Sequence, residues 1–168
     1  LVSSSAASDV YKRQFLACAK NGIIWSSCSP DFGVQGVVDR FKQIEPKVLI
    51  TSDYYFYNGK KINILDKVDE VLKQIPSIKK VIVYNYYKKE KENLKNFIDF
   101  EETLKIETDE SFERFEFNHP IYILFSSGTT GKPKCITHGT GNVLIEHNKE
   151  FMLHCDIRDN EKLFYYTT

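Results

Sequence analysis

Two apolar stripes at helical spacing alternate with short branched runs, and that alternation restricts the fold of this chain more than any other feature. Val34, Val37, Val38, Phe41 and Ile44 fall on one helical face before Pro46, and Leu65, Val68, Val71, Leu72 and Ile75 repeat the pattern before Pro76. Apolar residues at these steps make an amphipathic helix, and each proline forces its predecessor out of the helical region. Behind each stop comes a short β-branched stretch, "KVLIT" from Lys47 and "KVIVY" from Lys80. Their length and branching predict buried strands. Helix and strand in turn predict an α/β fold, with helices packed on a largely parallel sheet joined by crossovers.

Several local signals fill in this frame. Phe15 to Gly22 reads as the end of a helix, with Gly22 as its left-handed cap. Ser29, Pro30 and Asp31 carry the pattern of an N-cap, a first helical residue and a first-turn carboxylate, which predicts a helix start there rather than a catalytic Ser or Cys in "WSSCSPDF". Trp25 suits either a core or a pocket wall. Asn58-Gly59 after "YYFY" predicts a tight turn. From Tyr84 to Glu110, tyrosines and lysines mix in a way compatible with a nucleic-acid surface, but interleaved glutamates cancel the field. The favoured reading is a solvated segment with one short helix near Phe100 to Leu104.

At 168 residues with 42% hydrophobic side chains, the chain is long enough for one core. Its 23 basic and 23 acidic residues leave no net field to attract nucleic acid or an anionic bilayer. Apolar runs of about six residues fall far short of the roughly 20 needed for a membrane-spanning helix. Cys18, Cys28, Cys135 and Cys155 have no paired spacing, which reads as reduced thiols of a cytoplasmic protein. With Cys155, the histidines His119, His138, His147 and His154 offer donors for a metal, but no ligand spacing links them, and ordinary polar contacts are favoured. The opening Leu1 to Gln14, small and polar without periodicity, reads as an adapter-derived stretch rather than native protein, and "EKLFYYTT" at the other end has strand character, so the chain reads as a fragment.

The chemistry concentrates in "YILFSSGTTGKPK", Tyr122 to Lys134. Pro120 to Phe125 reads as a buried strand that delivers the chain into Ser126, Ser127, Gly128, Thr129, Thr130, Gly131, Lys132, Pro133 and Lys134. Glycines permit positive φ and close backbone approach, so that several N–H groups point into one concavity. Four hydroxyls add donors and two lysines add charges matched to phosphate oxygens. Gly131-Lys132 is followed by Pro133 rather than Ser or Thr, so this is not a Walker A loop, and Pro133 turns the chain into an extended "KCITH" instead of a helix. The expectation is a strand-loop-strand unit that holds a polyphosphate; a plain Ser/Gly linker is the alternative.

"SSGTTGKPK" resembles the phosphate-binding signature of the acyl-adenylate-forming enzymes, the AMP-binding superfamily of acyl-CoA synthetases, luciferases and peptide-synthetase adenylation domains. "GIIWSSCSPDFGVQGVVDRFKQIEPKVLI", "YFYNGK" and "HGTGNVLIEHNKEFMLHCDI" are similar to its acetoacetyl-CoA synthetase branch, more than to acetyl- or propionyl-CoA synthetases. The resemblance spans Phe15 to Thr168 and implies an incomplete portion of the large N-terminal adenylation domain. It implies a ligase that adenylates a small carboxylic acid, acetoacetate, with ATP and magnesium and then passes the acyl group to coenzyme A. It further implies that Ser126, Ser127, Gly128, Thr129, Thr130, Gly131 and Lys134 hold the β and γ phosphates, with Thr129 and Lys134 catalytic and Lys132 at a variable position. No metal-ligating residue is implied. Another short-chain acyl-CoA synthetase and a non-catalytic phosphate-binding module are the competing functions.

Overall fold

The computed structural model describes residues 5–86, 97–108, 111–126 and 131–164. Their elements run α1 (Ser5–Lys20), β1 (Trp25–Ser26), α2 (Val34–Ile44), β2 (Val48–Ser52), β3 (Tyr54–Tyr57), β4 (Lys60–Asn63), α3 (Leu65–Gln74), β5 (Lys80–Tyr84), β6 (Phe97–Asp99), α4 (Phe100–Thr103), β7 (Pro120–Phe125), β8 (Cys135–Gly139) and α5 (Thr140–Lys149). A π-helical turn, Glu150–His154, continues α5.

The expected alternation is present. Strands β2, β5 and β6 form one parallel sheet, with Val48 opposite Lys80 and Val81 opposite Phe97. A second sheet has the order β1-β7-β8, parallel between β1 and β7 and antiparallel between β7 and β8. The two helical stripes close over this framework. Val38 and Phe41 of α2 join Leu65, Val68 and Val71 of α3, Ile75 and Ile78 beyond it, and Val81 and Val83 of β5 in one buried cluster. Burying each such side chain contributes about 1.5–3 kcal/mol. Phe125, at the end of β7, packs against that cluster, its ring 6.4 Å from Phe41, and so ties the candidate loop to the core.

Asn58 and Gly59 both have positive φ, 48° and 72°, the backbone of a tight hairpin turn between β3 and β4. Asp53, buried at the start of this hairpin, accepts hydrogen bonds from the Tyr54 and Tyr86 N–H groups, each at 2.8 Å. Gly22 has φ 61° and follows α1, as its role as a cap requires.

Three expectations change. The Ser29-Pro30-Asp31 signal does not begin a helix. The Phe32 N–H instead donates to the Ser29 carbonyl at 3.2 Å, closing a turn, and α2 starts at Val34 after Gly33, which offers no side-chain cap. Ser then Pro are equally the first two residues of a common β-turn. Helix α1 begins at Ser5, well inside the stretch that lacks visible periodicity. Val10 is buried, and Tyr11 and Phe15 meet Trp25 edge-on at 4.7 and 5.5 Å, which makes Trp25 a packed residue under α1. Within the mixed-charge segment, α4 forms where a short helix is expected, capped by Asp99 accepting from the Glu101 N–H, and it is preceded by the unexpected strand β6. Residues 87–96 of that segment lie outside the described residues.

Candidate functional site

The two expected strands form and pair, but β7 is half-buried, with Leu124 exposed, rather than the buried strand its composition predicts, because only its end at Phe125 packs against the core. Phe125 faces Cys135 as the last pair of the β7–β8 ladder. One step further, the Ser126 N–H donates to the Lys134 carbonyl at 3.0 Å, and the Lys134 N–H approaches the Ser126 hydroxyl at 3.4 Å. The base of the loop is thus closed, and Pro133, lacking an N–H, marks the point where the ladder cannot extend inward.

Of the predicted site residues, the structure brings Ser126 and Lys134 together at this base, while Lys132 lines a recess on α2 and Gly131 has no described neighbour within 4 Å of an added Cβ. Ser127, Gly128, Thr129 and Thr130 lie outside the described residues. Ser126 is half-buried, whereas Gly131, Lys132 and Lys134 are exposed, and neither lysine forms an ion pair with a described residue. Both ammonium groups therefore remain available to an anion. Lys132 lines an open recess of about 220 Å³ together with Asp39, Lys42 and Gln43 of α2 and Gln74 of α3. Gly131 does not use the positive φ expected of the loop glycines, and a Cβ added there meets nothing within 4 Å. Neither backbone conformation nor crowding by described atoms requires glycine at this position.

One side chain at the site escaped the sequence reading. Gln43 donates from Nε2 to the Pro133 carbonyl at 2.9 Å and to its own helix at the Asp39 carbonyl, 2.6 Å. Nothing in a sequence marks a contact between positions 43 and 133. The polar residues Gln35, Asp39 and Gln43 recur every four residues along α2 and look like an ordinary solvated face.

The thiols offer no alternative nucleophile with an activating partner. Burial pushes Cys28 up to about 11, against a lowering by the Arg40 charge and a further rise from Asp31. All four cysteines are free. Among the described residues, no group of three or more His, Cys, Asp or Glu side chains is placed to hold a metal ion. No described helix is long and apolar enough to cross a membrane.

Comparison with known proteins shows the family and the fold. The profile of the family described as AMP-binding enzyme matches residues 14–166. Acetoacetyl-coenzyme A synthetase from Rhizobium meliloti (strain 1021) is 48% identical over 159 residues, covering 91% of this chain and 24% of the relative. Malonamoyl-CoA synthetase from Penicillium aethiopicum is 40% identical over 167 residues, 91% of this chain and 22% of that protein. The solved structure of acetoacetyl-CoA synthetase from Streptomyces lividans superposes with a TM-score of 0.84 at 40% identity, over 92% of this chain and 24% of that one. The chain therefore spans about a quarter of the length of the relatives it matches.

Proposed function

This chain belongs to the AMP-binding enzyme family, and from that premise we propose that it is part of an acid-thiol ligase that adenylates acetoacetate with ATP and transfers the acyl group to coenzyme A. The observation that carries the reading is the closed base of the loop. Ser126 and Lys134 are fixed across one hydrogen-bonded step at the mouth of a segment rich in glycine and hydroxyl groups.

In this reading the carboxylate attacks the α-phosphate, pyrophosphate leaves, and the coenzyme A thiol displaces AMP from the acyl-adenylate. The chain's own contribution lies at the departing end. Backbone N–H groups and the hydroxyls of Ser126, Ser127, Thr129 and Thr130 orient the β and γ phosphates, Gly128 and Gly131 give them close approach, and Lys134 and Thr129 oppose the charge that grows on the leaving group. Fixed donors of this kind accelerate reaction because they need no reorganisation as charge develops. Lys132, turned toward the α2 recess, contributes charge at longer range. Magnesium would accompany the nucleotide as the counter-ion of its phosphates and offset the charge that Lys134 also opposes.

Acetoacetate is favoured as the acid by the similarity to acetoacetyl-CoA synthetases from Rhizobium meliloti and Streptomyces lividans, at 48% and 40% identity. The malonamoyl relative matches the same span, which supports assigning shared phosphate chemistry to this segment and acyl choice elsewhere. We read residues 15–168 as an incomplete adenylation domain, supported by the family match beginning at residue 14, and residues 1–14 as foreign to it. The free thiols support a cytoplasmic location.

The test uses the full-length protein containing this segment, with acetoacetate-dependent exchange between ATP and pyrophosphate as the readout. Lys134→Ala should lower exchange by roughly a hundredfold or more. Unchanged turnover would favour a non-catalytic phosphate-binding module, and faster exchange with acetate or propionate would reassign the acid.

A further inference from the structure

Helix α2 touches both limbs of the loop. Phe41 packs against Phe125 on the incoming limb. On the outgoing limb, Gln43 spends both amide hydrogens on backbone carbonyls, Asp39 within the helix and Pro133 in the loop, at 2.6 and 2.9 Å. A primary amide has only those two donors, so its orientation is fixed from both sides. Asp39 is itself fastened, its carboxylate accepting from Gln35 Nε2 at 2.7 Å.

Beyond the step at which Ser126 meets Lys134, the outgoing limb has few other restraints. Pro133 brings no N–H, Gly131 no side chain, and Lys132 and Lys134 are exposed. Among the described side chains, Gln43 is the one that reaches this limb from another element with a hydrogen bond. We infer that Gln43 is a positioning residue for the nucleotide: by holding the Pro133 carbonyl it sets where the Lys134 backbone and ammonium group stand before ATP arrives. Its effect is pre-organisation, so the nucleotide no longer has to order that limb on binding. The recess beside it, lined by Lys132 and Lys42 as well as Gln43, belongs to the same arrangement.

This inference rests on the ligase reading for its kinetic consequence but not for the contact itself, and the experiment separates the two. Gln43 is exposed, so its replacement leaves the core intact. In the full-length protein, Gln43→Met keeps the length of the side chain and removes both donors. Amide hydrogen exchange without nucleotide should quicken at residues 134 and 135 and remain unchanged in β5. The KM for ATP, and its Kd by calorimetry, should rise about fivefold, the effect of one ordinary hydrogen bond, with the KM for the acid unmoved. Gln43→Lys, a donor of similar reach, should recover most of that loss. Wild-type exchange at residues 134 and 135 in Gln43→Met overturns the inference, as does unaltered ATP affinity alongside quickened exchange. Normal turnover in Lys134→Ala sinks the ligase reading instead, and the exchange measurement still judges the contact.

Discussion

The thiol of Cys28 packs beside the cluster built by α2 and α3, and burial there holds it at about 11. At pH 8 about one molecule in a thousand would carry the thiolate that reacts with alkylating agents. Cys135 and Cys155, both exposed, should label first, and mass spectrometry of the partly alkylated chain should find Cys28 labelled last. The same shift has a sign for stability. The thiol is harder to ionise in the folded chain than at its ordinary 9.0, so its stabilising protonated form is intact below pH 9 and is lost as pH climbs toward 11. Denaturant midpoints should therefore fall over that interval, and Cys28→Ala should remove this part of the decline. At this scale the sequence reading singled out the loop lysines and Ser126 because their residue types suit phosphate chemistry by themselves, and the structure sets Ser126 against Lys134. It missed Gln43, whose role exists only through a neighbour 90 positions away.

The elements show how far local pattern can be trusted. Both amphipathic helices, the two branched strands, the Asn58-Gly59 turn and strands β7 and β8 lie where periodicity and turn chemistry place them, since each is decided within a dozen residues. The start of α2 and the strand β6 were not legible. Ser-Pro opens a turn as readily as a helix, and Phe97 to Asp99 becomes a strand only because β5 offers Val81, Ile82 and Val83 as partners. Glycine 22 gives a test at this scale. Its φ is positive and a Cβ would run into the Phe115 ring, so Gly22→Ala should destabilise the chain by roughly 1–3 kcal/mol. Gly33→Ala, at φ −66° with nothing within 4 Å of the added carbon, should cost only about 0.5 kcal/mol. Urea titrations of the two variants, compared at constant m, measure the difference.

For the whole molecule, the three described sheets and their helices give the β7–β8 step a firm base. The chain spans about a quarter of the relatives it matches. Purified alone, these 168 residues should bind triphosphate weakly and form no acyl-adenylate from ATP and acetoacetate. Radiolabelled ATP and chromatography check this, and a detectable adenylate would mean that far more of the catalytic machinery lies within this segment than its share of the family's length suggests.

Strand β7 takes its footing from β1: Trp25 lies alongside Tyr122, and the Ser26 hydroxyl donates to the Ile123 carbonyl at 2.7 Å across 97 positions. A parallel neighbour that distant cannot form until nearly everything between has emerged and settled, because closing so wide a span costs entropy that later contacts must recover. During synthesis the β1–β7 pairing is thus made late, onto an early segment that has waited with its edge unmatched. A ribosome stalled before residue 120 would carry a nascent chain with the β2-β5-β6 sheet free to form and β1 still without its partner.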